Sequence, residues 1–152
     1  MSTHPTRISY PDFERLAPKA VSALYGLGTA PHGSLDEQLI ELLELRASQI
    51  NGCAYCVQYH LGLARKAGLP QTKIDMLPVW REAGIYSARE LAALAWTEHL
   101  TDISRQGAPD AAWAALREVF SEAEAVNLCV AIVAINAWNR VAIALGFAPM
   151  AA

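Results

Sequence analysis

The sequence predicts an all-α single domain, and three observations carry that expectation. Serine-to-glutamate pairs spaced i, i+3 stand before apolar-periodic runs at Ser34/Glu37, Ser87/Glu90 and Ser121/Glu124, the signature of helix capping boxes. No run alternates apolar and polar residues with period two between turn signals, so no strand is expected. The 152 residues, 53% hydrophobic and 18% charged, suffice for one packed core without disulfides or structural metal.

Taken in order, residues 1–10 are polar and expected to be flexible, within a single domain spanning 1–152. They lack the apolar segment of a secretory leader. A helix is expected over 11–26. The next, 35–50, has Leu35, Leu39, Ile40, Leu42, Leu43, Leu45, Ala47 and Ile50 around most of its circumference at about 100° per residue. Glu37, Glu41, Glu44 and Ser48 form a narrow polar strip, which on its own reads as a solvated face. Arg46 falls inside the apolar arc and needs a carboxylate partner in the core or at a subunit interface. Asn51-Gly52 breaks the chain, and a helix at 53–67 stops at Gly68 before Pro70. Helices at 70–83, 87–104, 109–118 and 121–145 complete the expectation.

The stretch Leu128–Leu145 is long and apolar enough to span a bilayer. Its middle carries Asn136, Asn139 and Arg140, and a central arginine costs about 2.5–3.5 kcal/mol on the lenient insertion scale. It therefore reads as a core or interface helix, with no membrane role. The three polar residues form a stripe that needs partners, and a subunit interface is the preferred source, against pairing within the subunit. A formal net charge of −3 and scattered basic residues argue against nucleic acid. Three cysteines are too few for a secreted disulfide framework, so the expected compartment is the cytoplasm. Cys129, in an apolar helix, reads as inert core.

The chemistry concentrates in Cys53-Ala54-Tyr55-Cys56-Val57-Gln58-Tyr59-His60. Positions i, i+3 and i+7 share one helix face, so both sulfurs and the imidazole align. Cys53 stands at the helix start, where unpaired N–H groups favour a thiolate. Cys56 stands one turn from His60, within reach of a base that takes its proton. A dithiol peroxidase or disulfide reductase needs this set: one thiolate attacks, and a second thiol closes the disulfide. In an antiparallel hairpin about Asn51-Gly52, Glu41 lies opposite position 62 and Glu44 opposite 59. Either could orient His60. Two other readings stay open: a zinc site drawing on Cys129, His99, His32 or His4, and a buried pair of structural cysteines. Haem attachment is excluded, because Val57 follows the second cysteine, and no other feature calls for a cofactor. Tyr55, Tyr59 and Trp80 line an apolar substrate approach or belong to the core.

From Glu41 to Cys56 (Glu41-Leu42-Leu43-Glu44-Leu45-Arg46-Ala47-Ser48-Gln49-Ile50-Asn51-Gly52-Cys53-Ala54-Tyr55-Cys56) and on to His60, the chain resembles the alkylhydroperoxidase D-like (AhpD-like), or carboxymuconolactone decarboxylase, family. Ile135-Asn136-Ala137-Trp138-Asn139-Arg140 and the stretch Ala95–Thr101 around Glu98 are similar to further elements of that family. The resemblance implies a homo-oligomeric (trimeric or hexameric) all-helical subunit with thiol peroxidase activity on organic hydroperoxides. It assigns Cys56 as the attacking thiol, Cys53 as the resolving one, His60 as the relay base and Glu41, twelve residues before Cys53, as the relay carboxylate. It also implies reduction by an external dithiol, a lipoylated protein in the best-known members. Two departures matter. Tyr55 stands where those members have a histidine, and the decarboxylating members generally lack the dithiol that this chain has.

Overall fold

Pro18 divides the first predicted helix. Its ring disfavours helical backbone at the preceding residue, and Ala17 sits at φ −135°, ψ 54° between α1 (Tyr10–Leu16) and α2 (Pro18–Thr29). The computed structural model describes residues 5–149. Of the segment 1–10 read as flexible, residues 1–4 lie outside the described residues. Farther on, the N–H groups of Arg7 and Ile8 donate to the Leu145 carbonyl at 2.9 and 3.0 Å. Gly146 closes beside them at φ 69°, where a Cβ would lie 2.7 Å from the Pro5 carbonyl oxygen.

The capping box expected at Ser34 does not form. Ser34 is in a turn, and Asp36 caps instead by accepting from the Leu39 N–H at 3.1 Å, so α3 runs Glu37–Asn51. It ends on Gly52 at φ 69°, a left-handed position that glycine adopts without a Cβ penalty. There the Cys53 N–H reaches the Ser48 carbonyl and the Gly52 N–H reaches that of Gln49. The chain turns at once into α4 (Ala54–Lys66), with Cys53 as its N-cap. The predicted helix 70–83 is three short pieces, α5 (Gln71–Met76), a 3₁₀ turn at Leu77–Val79 containing Pro78, and α6 (Trp80–Ala83). Proline, lacking an N–H, does not continue an α-helix.

The capping boxes at Ser87 and Ser121 both form, opening α7 (Ala88–Thr101) and α10 (Glu122–Leu145). Between them lie α8 (Ile103–Gln106) and α9 (Asp110–Val119). Among the described residues there is no strand; an isolated bridge joins His32 and Leu35.

Helix α3 is the axis of the molecule, packed against α4, α7 and α10. Leu42, Leu43, Leu45 and Ala47 are wholly buried, and truncating such a leucine to alanine costs about 2–5 kcal/mol. Arg46 finds its carboxylate in Glu98 of α7, which accepts from Nε at 3.0 Å and from a terminal nitrogen at 2.7 Å. Glu98 also accepts from the Trp80 indole at 2.8 Å. By length and composition α10 could cross a membrane; here it packs against α2, α3 and α7.

The polar stripe of α10 is satisfied within the subunit, contrary to the interface expected. Asn51 donates to the side-chain oxygens of Asn136 and Asn139, Asn139 donates to Ser48 Oγ, and Asn136 donates to Thr101 Oγ1. Arg140 closes the set on the Asn136 carbonyl.

Candidate functional site

The tight turn at Gly52 lays α4 back along α3, and this brings the expected residues together. Cys53 and Cys56, with Cα atoms 5.3 Å apart, are joined as a disulfide. As N-cap, Cys53 Sγ also accepts from the Cys56 N–H at 3.3 Å. One turn on, His60 Nδ1 lies 2.9 Å from Glu41 Oε2 and 3.3 Å from Glu44 Oε2. Both carboxylates that the hairpin register proposed therefore reach the same ring nitrogen. Neither belongs to a solvated strip: Glu41 is 3% exposed, Glu44 7% and His60 8%. Ser48 is buried as well, and only Glu37 of that strip is exposed.

Two carboxyl groups and an imidazole withdrawn from water cannot all titrate normally. Burial pushes the Glu44 carboxyl up to about 7, opposed by His60 and reinforced by the Glu41 charge. Burial pulls His60 down, but the Glu41 hydrogen bond and the charges of Glu44 and Glu41 outweigh it, and the imidazole is raised. The cluster thus holds exchangeable protons near neutral pH.

Cys56, His60, Glu41 and Glu44 open onto one cavity of about 260 Å³. Five aromatic side chains line it, Tyr10, Tyr25, Tyr55, Tyr59 and Trp138, beside Leu63 and Ile135. The Tyr10 and Tyr25 hydroxyls are hydrogen bonded at 2.8 Å, Tyr55 stacks on Tyr59, and Tyr59 meets the His60 ring edge-on. Of the aromatic residues read as lining an approach or belonging to the core, Tyr55 and Tyr59 line this cavity. Trp80 does not; it is buried beside Glu98. The sequence does not mark Tyr10 or Tyr25 as lining residues, because they come from helices remote in sequence from Cys56; Trp138 carries a signal only within Ile135–Arg140.

Cys53 lines a different cavity, of about 220 Å³, walled by Ala54, Ile143, Gly146, Phe147 and Pro149 among others. Among the described residues, the zinc set drawn from Cys and His does not assemble. The two sulfurs are bonded to each other, and Cys129, half-buried rather than core, packs in a separate cluster and accepts from the Trp96 indole at 3.3 Å. His4 lies outside the described residues. Among the described residues, the side chains placed to hold a metal ion are Glu41, Glu44 and His60, with ligand atoms within 4.8 Å of one another.

Comparison with known proteins agrees with the all-helical fold. A model of the carboxymuconolactone decarboxylase family matches residues 16–99. Uncharacterized protein YdfG of Bacillus subtilis (strain 168) is 36% identical over 141 residues, covering 92% of this chain and 94% of that one. A solved protein of unknown function from Agrobacterium tumefaciens, provisionally assigned as an antioxidant defence protein AhpD, superposes with a TM-score of 0.90 at 40% identity. It covers 97% of this chain and 100% of its own. The debrominase Bmp8 shares the fold, with a TM-score of 0.80 at 20% identity over 90% of this chain and 74% of that one.

Proposed function

Because the chain belongs to the carboxymuconolactone decarboxylase family, we propose that it is a thiol-dependent, peroxidase-like oxidoreductase that reduces organic hydroperoxides through a Cys53–Cys56 dithiol/disulfide cycle. One observation carries the reading: Cys56 shares a cavity with His60, whose Nδ1 is held by Glu41, while Cys53 is already bonded to Cys56. Fold alone would not support it, since the same fold serves a debrominase.

In the reduced protein, Glu41 holds Nδ1 of His60 as the donor side, leaving Nε2 to take the Cys56 proton. The Cys56 thiolate attacks the terminal oxygen of the hydroperoxide and the O–O bond breaks. The sulfur becomes a sulfenic acid, and the alkoxide takes a proton from His60 and leaves as alcohol. The Cys53 thiolate then attacks Cys56 Sγ, and the hydroxyl leaves as water once protonated. An external dithiol, such as that of a lipoylated protein, returns the disulfide to two thiols. The aromatic wall suits an apolar organic group on the peroxide. A homo-oligomer, trimer or hexamer, in the cytoplasm completes the proposal. Its support is the outer face of α10, where Val126 and Val133 are 53% and 54% exposed.

The test is a thiol count on the protein reduced beforehand and freed of reductant, before and after one equivalent of cumene hydroperoxide, with intact mass alongside. Loss of two thiols is expected in the native protein. In Cys53→Ser the sulfenic acid should persist, adding one oxygen to the mass, and Cys56→Ser should not consume peroxide. Substrate turnover with both cysteines replaced by serine would move the assignment to non-redox chemistry run by Glu41, Glu44 and His60.

A further inference from the structure

The two half-cystines line different cavities: Cys56 lines the aromatic one with His60, and Cys53 lines the second, while Tyr55 and Ala142 line both. Resting on the dithiol cycle proposed above, we infer that the cycle has two doors: the reducing thiol enters the second cavity and attacks Cys53 Sγ, with Cys56 as the leaving sulfur.

The reasoning is one of reaction geometry. Exchange at a disulfide proceeds by attack of a thiolate on one sulfur as the other departs, and an in-line displacement brings the nucleophile from the side away from the leaving sulfur. A thiol in the aromatic cavity meets Cys56 and would have to expel Cys53, whereas a thiol in the second cavity meets Cys53 and expels Cys56. The second route delivers the departing thiolate beside His60, which stabilises or protonates it and leaves Cys56 ready for the next peroxide. Cys53 and Cys56 are only 2% and 4% exposed, so neither is attacked from open surface and the cavities decide access. The walls of the second cavity include the small residues Gly52, Ala54, Gly146 and Ala148, which leave width for a slender dithiol.

The step balances. The reductant's thiolate bonds to Cys53 Sγ, the Sγ–Sγ bond breaks, and its electron pair leaves on Cys56, which takes a proton. The reductant's second thiol, deprotonated, then attacks the reductant sulfur of the mixed disulfide, and Cys53 is released and protonated. The reductant dithiol is oxidised to a disulfide, the protein disulfide is reduced, and two hydrogens pass to the protein.

The experiment treats the two half-reactions separately. Ile143, 41% exposed on the wall of the second cavity, is replaced by Trp; Ile103→Trp, at a position 54% exposed and outside both cavities, is the control. The oxidised proteins are reduced with dithiothreitol, and the reduced proteins are oxidised with cumene hydroperoxide. For Ile143→Trp the reduction rate should fall at least tenfold more than the oxidation rate; the control should change both by the same small factor. Equal slowing of both halves, or an unslowed reduction, overturns the inference. If Ile143→Trp does not fold, native oxidised protein is pulsed with 2-mercaptoethanol, quenched in acid and mapped by mass. An adduct on Cys53 is expected, and an adduct on Cys56 overturns the inference. The reduction rates and the adduct map are read without peroxide, so failure of the peroxide reaction and failure of this route are distinguishable.

Discussion

Asn51 donates its side-chain amide to the Asn139 side-chain oxygen across 2.8 Å, joining two residues 88 positions apart at the point where α3 gives way to the Cys53 turn. Asn139 is wholly buried and passes the contact on, donating to Ser48 Oγ, which in turn donates to the Glu44 carbonyl. The last turn of α3 is thus tied to α10 by a satisfied polar chain.

Replacing Asn139 with Ala removes one of two acceptors of the half-buried Asn51 amide and the donor that meets the wholly buried Ser48 Oγ, and opens a gap where Asn139 stood. Unsatisfied buried groups cost about 1–3 kcal/mol each. Urea denaturation should therefore show a loss of about 2–4 kcal/mol. A loss below about 0.5 kcal/mol, the scale of an ordinary surface change, would mean that the network relaxes onto other partners.

Glu41→Gln keeps the size of the side chain and removes its charge. The peroxide step should slow by roughly 10²-fold, the scale of a positioned acid–base contribution, with little change in melting temperature. The pH at which the rate rises should move as well, because His60 loses the partner that raises it. Equal rates for the two proteins would return Glu41 to a purely structural role.

Stability should depend on pH in a definite direction. The Glu44 carboxyl is raised to about 7 in the folded protein, so between the ordinary glutamate range and pH 7 the native state binds more protons than the unfolded chain. Its contribution is present at low pH and is lost as pH rises toward and through 7. His60, also raised, acts in the same sense: its contribution is full below its unfolded pKa and is lost as pH rises through the folded one. Glu124, lowered to about 2, exerts its slope in more acid solution, outside this window. Denaturation free energies between pH 5 and 8 should therefore fall with rising pH, and Glu44→Gln should flatten the lower part of that fall. A flat native profile would show that the cluster does not titrate as described.

Much of the site was legible from the chain. The spacing Cys53, Cys56, His60 and the break at Asn51-Gly52 place one face of α4 opposite Glu41 and Glu44, and a hairpin is a local device. Periodicity also marked Arg46 as needing a carboxylate, though not that Glu98 of α7 supplies it. The burial of the Glu41–Glu44–Ser48 strip was not legible, because periodicity shows which residues share a face and not which later helix covers it. The same holds for Asn136 and Asn139, whose partners Asn51, Ser48 and Thr101 lie in other helices. Ser34 and Asp36 both suit a helix cap; the turn at Pro31–Leu35 makes Asp36 the cap.

The backbone bonds from Arg7 and Ile8 to Leu145 hold the beginning and the end of the described chain side by side. Termini that lie close together are what tolerated circular permutation requires. A short bridge between them, with a new opening at the exposed Ala108-Pro109 junction between α8 and α9, would reorder the helices in sequence while leaving α3, α4 and α10 in their places. Recovery of the Cys53–Cys56 pairing in such a permutant would show that the order of connection is separable from the arrangement around the disulfide.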